Sequence, residues 1–416
     1  MATVNSGSGF MRKAGREVSA VMLCAALAIP AHAAEIGGFD IGGYTRFGAY
    51  SSPAGTPRGA YTLGGDTQKF RLGNEGDNGI ELGIAKTAEV GDGKRFSAMY
   101  MPTIWDGNYG TAQAYVAMSG FGFAPEAQFW AGQNRLRLKE IHIVDSFVID
   151  YGDNTGIGMT GLDLGGAKLG VGLFSSGTFD YSHVTPNNAM RLGIDLSDIA
   201  VNAGGTLRVL ATLARGDFQM GADGAGLSVA HDQSDFLMPG LSNTLLVQGA
   251  SGHVAVNGRF LGLGDAASGG VQQPGMKSFR IADFVGWQYG SFGGQALASY
   301  QTGAVDGGIN HGLKTRDFAL GGRGSWGMGG NFKLLAEAGV TSRRIDGQAE
   351  QTLNKFTIAP TLALAPEFWS RPELRFYLTH VSWNAAAAAA NAGAGGFGAT
   401  GRTSVTVAGV QLETWW

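Results

Sequence analysis

Apolar side chains recur at every second position through long stretches of this chain, and that period decides what it can fold into. Successive residues of a strand point to opposite faces, whereas a helix repeats every 3.6 residues. Val405 to Trp416 shows the pattern most plainly. Thr406, Ala408, Val410, Leu412, Thr414 and Trp416 share one parity, and Val405, Val407, Gly409, Gln411, Glu413 and Trp415 the other. A membrane barrel strand needs about 9–11 residues, and a terminal aromatic suits the interfacial girdle. Ile80, Leu82 and Ile84 alternate with Gly79, Glu81 and Gly83, and Phe332 to Val340 repeats the arrangement. Between such runs lie turn clusters such as Gly91-Asp92-Gly93 and Gly329-Gly330-Asn331. No stretch after Ala34 approaches the ~18 uninterrupted apolar residues of a membrane helix.

The same alternation fits two environments. A soluble β-protein turns the apolar face inward; a membrane barrel turns it to lipid and lines a lumen with the polar face. The front of the chain favours export. Met11-Arg12-Lys13-Ala14-Gly15-Arg16 is basic, Val18 to Ile29 is apolar, and Ala31-His32-Ala33 is a small-residue cleavage site. That is a secretory signal peptide over residues 1–33, with Met11 a possible true start, and it leaves 34–416 as a single barrel domain. The only cysteine, Cys24, lies inside the leader. The exported chain therefore has neither disulfide nor thiol nucleophile. Glycine, 70 of 416 residues, stands well above the usual ~7%, and the charged fraction of 15% falls below the usual ~25%. With 44% hydrophobic residues the chain is not disordered. The sequence thus predicts an all-β fold: a transmembrane antiparallel β-barrel. About 21 residues per strand and connection would give roughly 18 strands, or 16.

Catalytic chemistry finds no purchase. Gly156-Ile157-Gly158-Met159-Thr160-Gly161 matches a dinucleotide-binding pattern, but no strand–helix unit surrounds it and it reads as a turn. No histidines have metal-ligand spacing, and no serine elbow has an acid and base behind it. The net charge of −3 offers nothing to nucleic acid. The sequence points to no enzyme, no cofactor and no metal. Ala385 to Gly401 reads as a long loop, its glycines arguing against a helix despite the alanines.

The most charged segment runs from Arg135 to Tyr151, with Arg135, Arg137, Lys139, Glu140, His142, Asp145 and Asp150. It is either an exposed extracellular loop or a loop folded into the pore, where opposed charges would narrow the passage and hydrogen-bond a solute. Tyr44 and Arg46 share a face of the first strand, and Trp415 shares the Gln411/Glu413 face of the last. Closure makes those strands neighbours. An aromatic column beside ionic groups then suits a pyranose, whose C–H face lies on a ring while its hydroxyls reach charges. The alternative is that Tyr44 and Trp415 are lipid-facing girdle aromatics.

These residues carry a resemblance. Gly43-Tyr44-Thr45-Arg46, Arg71-Leu72-Gly73-Asn74-Glu75, Trp130-Ala131-Gly132, His142 with Asp145, Trp369-Ser370-Arg371-Pro372 and Glu413-Thr414-Trp415-Trp416 make the chain similar to maltoporin-type carbohydrate porins. The resemblance spans nearly the whole exported length and is looser over about 160–350. It implies an 18-stranded barrel with an inward third loop, a homotrimer in the Gram-negative outer membrane, and passive sugar diffusion along an aromatic slide. It implies slide residues Tyr44, Trp369 and Trp415, with Trp105 at the place of a tryptophan reaching in from a neighbouring subunit. Arg46, Arg71, Glu81, Glu140 and Asp145 fall on the ionic track, and Lys139 and His142 join the constriction. Phe147 falls on a constriction tyrosine and lacks its hydroxyl. Two slide positions are lost, one at Gly79 and one near Leu241. Two arginine positions fall on Ala112 and on Leu138 beside Lys139.

Three functions follow for test. The first is an outer-membrane channel selective for mono- or oligosaccharides, with sugar solute and membrane lipid as partners. The second is a general diffusion porin with little sugar selectivity. The third is a soluble exported β-protein that binds sugar.

Overall fold

The computed structural model describes residues 34–150, 154–176, 189–218, 220–263 and 273–416. The leader expected over residues 1–33 lies outside them. From Phe39–Ser51 to Ser404–Trp415, 18 strands pair antiparallel, each with its sequence neighbour, and the first meets the last. The closing register sets Tyr44 opposite Trp415, Arg46 opposite Glu413 and Gly48 opposite Gln411. Gly43 and Trp416 then exchange both backbone hydrogen bonds, at 3.0 and 3.1 Å. Closure satisfies every ladder internally, as a strand wall in hydrocarbon requires. Below this seam the short strand Ala34–Ile36 pairs with Phe39–Ile41.

The wall is apolar outside and polar within. Phe47, Phe376, Leu378 and Leu412 stand exposed on the outer face, while Arg191, Arg280, Arg323 and Arg375 are fully buried on the inner one. Burying one such aliphatic or aromatic side chain is worth about 1.5–3 kcal/mol. A wall of them turned outward is stable only against lipid, so the soluble reading falls. One end of the barrel has tight reversals, such as 92–93 and 203–204. The other carries long connections at 52–78, 134–154, 252–274 and 384–403. Short turns mark the periplasmic end and long loops the extracellular end.

Two sequence expectations are corrected. Residues 156–161 are not a turn; they lie inside the wall strand Thr155–Asp163. Gly158 there leaves room for the Trp130 ring. Ala385–Ala390 is an α-helix, capped where the Asn384 side chain accepts from the Ala387 amide at 2.9 Å. The glycines that argued against it lie beyond the helix, at 393–401.

Two loops fold inward and fill much of the barrel, and among the described residues Asn257 and Gly258 of a third also reach in, to Asp150 and Arg191. The connection 52–78 crosses to the far wall, where Phe70 sits on Gly321 and Gly339. A Cβ at either glycine would collide with its ring. Thr67 bonds Ser299 at 2.6 Å and Gln68 donates to the Ser342 carbonyl at 2.7 Å. The charged segment, described over 134–150, also lies inside rather than outside. It is a hairpin, Arg137–Ile141 with Ser146–Asp150, joined through a 3-10 turn at His142–Val144. Gln248 of the wall donates to Val148 O at 2.6 Å and Arg208 to Leu138 O at 2.8 Å. Leu136, Ile141, Ile143, Val148 and Phe70 form one buried apolar cluster between loop and wall. The loops are tied together where the Arg71 amide donates to Ile143 O at 2.9 Å.

Candidate functional site

Register places the seam residues in the lumen. Phe47 and Leu412 face outward, so the alternate residues Tyr44, Arg46, Glu413 and Trp415 face inward. The girdle alternative for Tyr44 and Trp415 is thereby excluded. Trp416 takes the opposite parity, lying against Gly43.

The Tyr44 hydroxyl is fully engaged. It donates to Glu413 Oε1 at 2.9 Å and receives from Arg46 and Arg71, each at 3.0 Å. The ring is thus held fixed. Trp105 stacks on it, with centroids 6.1 Å apart and planes 27° apart, and the Arg46 guanidinium lies 5.2 Å from the indole. Trp105 pairs in register with Gly79, and the indole lies over that glycine where a Cβ would collide. Within this barrel it has the inward parity of Gly79 and Arg46. Trp105 ends its strand at a two-residue hairpin, Asp106-Gly107, with both φ positive (48° and 82°). Such a reversal is the shortest a hairpin can make.

Beneath these rings runs a bed of buried ion pairs. Arg46 bonds Glu75 and Asp77, both at 2.7 Å; Arg71 bonds Glu75 at 2.9 Å and Glu413 at 2.7 Å. Arg371 reaches Glu413 at 3.1 Å, and Arg375 holds Glu373 at 2.6 Å. Each cation has a carboxylate partner, which buried charge demands.

The periplasmic connection 364–372 carries the next ring inward. Trp369 lies 5.0 Å from His142 and His142 lies 5.8 Å from Trp415, centroid to centroid. Arg371 sits 4.1 Å from the Trp415 ring, and Phe368 supports Trp369 from below at 4.9 Å. His142 is clamped, with Arg371 donating to Nε2 at 3.3 Å and Nδ1 facing Glu140 at 3.3 Å. Burial, reinforced by the Arg71 charge, holds its pKa well below the ordinary histidine value, so the ring is neutral. Glu140, partly open to lumen water, is pushed up to about 7, chiefly by burial and against the Arg71 charge. Burial would also raise Asp145, but Arg71 and Lys69 outweigh it and keep it below the usual carboxylate range; Lys69 bonds it at 2.9 Å.

The structure thus gathers Tyr44, Arg46, Arg71, Trp105, His142, Trp369 and Trp415 into one assembly, with Glu140 and Asp145 at its edge. Glu81, the cross-strand partner of Tyr44, is bound by Arg135 at 2.6 Å. Two expected constriction residues stand apart from it. Lys139 pairs with Asp232 on the far wall, and Phe147 lies 4.0 Å beneath the Arg137 guanidinium. Leu241 shares the outward parity of Leu245 and Val247, so no side chain from that position enters the lumen. Glu75, Arg371 and Glu413 were not singled out from the sequence as site residues, although Glu75 follows Arg71 by four and Glu413 shares the parity of Trp415.

A family model described as LamB porin matches residues 39–416. A maltoporin of Hahella chejuensis is 27% identical over 83% of this chain and 85% of its own length. A maltoporin of Vibrio cholerae is 27% identical over 95% of this chain and 99% of its own. Among solved structures, OccK5 (OpdH) of Pseudomonas aeruginosa superposes with TM-score 0.51 at 9% identity, covering 92% of this chain and 99% of that one. That likeness extends to the barrel fold alone.

Proposed function

The chain belongs to the LamB porin family and is a passive diffusion channel of the Gram-negative outer membrane, not an enzyme, and we propose that within that class it selects sugars. The observation that carries this reading is the run of rings Trp415, His142 and Trp369 beside Tyr44, set on a bed of fixed charges. A pyranose slides with its apolar face on the part-exposed rings of Tyr44, Trp415 and Trp369, while its hydroxyls exchange partners among Asp77, Lys69, Asp145 and Glu140. The buried Arg46, Arg71, Glu75, Arg371 and Glu413 hold those groups and rings in place. No step needs a cofactor or metal. The working form is a homotrimer of the barrel 34–416 after loss of the leader, as the resemblance implies.

The test is single-channel recording in a planar bilayer. Sugars should interrupt the ion current saturably, and a current indifferent to every mono- and oligosaccharide tried would defeat the reading. A general diffusion porin is favoured by one observation, the missing ring at Leu241. It predicts liposome swelling rates that follow solute size alone.

A further inference from the structure

We propose that the aromatic path is completed within each subunit, by Trp105 occupying the space that Gly79 leaves open. The inference rests on the sugar reading and adds the residue that repairs its gap. Gly79, the register partner of the inward Arg46, carries no side chain on the lumen face beside Tyr44. The indole of Trp105, its register partner on the next strand, covers the vacancy and stacks on Tyr44. The two positions are alternatives, since a side chain at Gly79 and the indole at Trp105 compete for one volume.

The reach of Trp105 is fixed by its hairpin. The reversal at Asp106-Gly107 is clipped to the end of the loop 52–78, with the Asp106 amide donating to Asn78 O at 2.8 Å and the Asn78 amide to Asp106 Oδ1 at 2.9 Å. Asn78 is anchored in turn by the Gly48 amide at 2.7 Å. A turn tied this closely to the seam of its own barrel has no length left to enter a neighbour. Arg46, at 5.2 Å, pins the indole by cation–π attraction, and the residue stays part-exposed. The path then runs Trp105, Tyr44, Trp415 and Trp369, the last two packed on the buried His142, from the extracellular end of one strand to a periplasmic turn.

The experiment compares sugar block of reconstituted wild type, Trp105→Ala, Trp105→Phe and Gly79→Tyr/Trp105→Ala. Trp105→Ala should weaken the block roughly 3- to 10-fold. Trp105→Phe should keep most of it, and the double variant should return to within about 2-fold of wild type by supplying the ring from the other strand. Unaltered block in Trp105→Ala, with wild type normally blocked, overturns this inference alone. So does a double variant no better than the single one. Absence of block in wild type overturns the sugar reading and this inference with it. A second arm separates subunits by co-expressing Trp105→Ala with Trp415→Ala. If each pore uses its own indole, no mixed assembly holds a pore of wild-type affinity. Recovery of wild-type block in the mixture would show that Trp105 serves a neighbour.

Discussion

Truncation of Trp369 to alanine removes the last ring of the path without touching the wall, because the residue sits on the connection 364–372 rather than on a strand. Trp369 is 38% exposed. For a side chain of roughly 250 Å², that leaves ~95 Å² to the lumen, of which one sugar face covers about half. At ~25 cal/mol per Å², burying the ring surface alone is worth about 1.2 kcal/mol, and counting the matching sugar surface doubles it. The sugar should therefore bind roughly 8- to 60-fold more weakly. The loss should appear as a faster off-rate in current-noise analysis, with little change in on-rate, because contacts are lost after encounter. Trp416→Ala is the control, being the adjacent tryptophan of the terminal pair with outward parity, and it should leave sugar block unchanged. A Trp369→Ala channel that binds within 2-fold of wild type while its open conductance is normal would refute the reasoning.

Three further outcomes follow from the same geometry. Glu140 has a folded pKa raised to about 7, so its protonated form is favoured; its charge is present above that pH and lost as pH falls through it. Cation preference, read from reversal potentials in a salt gradient, should decline from pH 8 to pH 6, and Glu140→Gln should flatten the profile. Asp145, held below the usual carboxylate range, should add no slope there. Phe70→Ala empties the seat on Gly321 and Gly339, so the loop 52–78 should loosen, open-channel noise rise and conductance increase. Arg371→Ala takes one of three cations from Glu413 and from Glu373, which keep Arg375 with Arg71 and with Lys333 respectively, at a cost of about 1.5–3 kcal/mol, and should lower the temperature at which the folded barrel loses its compact migration on a gel.

The wall was legible in the sequence because each strand has one face in lipid and one in a filled lumen, so the period-two pattern is written along it twice. Parity left Tyr44 and Trp415 either in the lumen or in the girdle, and the closing register, with Phe47 and Leu412 outward, decided for the lumen and set them opposite each other. What parity could not supply was anything held by a loop. The segment Arg135 to Tyr151 left exposed and inward placements equally open, since its charges suit water outside as well as ion pairs inside. Its apolar half, Leu136, Leu138, Ile141, Ile143 and Val148, carried the decisive signal: those residues need a wall to bury against, and the barrel interior provides one. Glu75 and Arg371 stood in quoted motifs but were given no part in the site, because each acts through a partner far away in the chain, Arg46 for one and Glu413 for the other. The helix at Ala385–Ala390 was hidden by composition read too broadly, its glycines standing after the cap.

The two vacant slide positions are physically unlike, and the difference sets what the channel can hold. At Gly79 the vacancy lies inside the lumen and a neighbouring strand fills it. At Leu241 the side chain turns to lipid, and the adjoining inward positions Leu246 and Gln248 are already buried against the inward loop. The path therefore has a continuous stretch along the seam and turns at His142 into the periplasmic connection, whereas Trp130 and Phe174, rings away from the seam, are buried and offer no open face. A sugar chain should gain affinity with each residue until it spans Trp105 to Trp369, and nothing beyond. A titration series of increasing oligosaccharide length should rise and then level off. A steady rise through the longest chains would mean that rings outside this stretch take part.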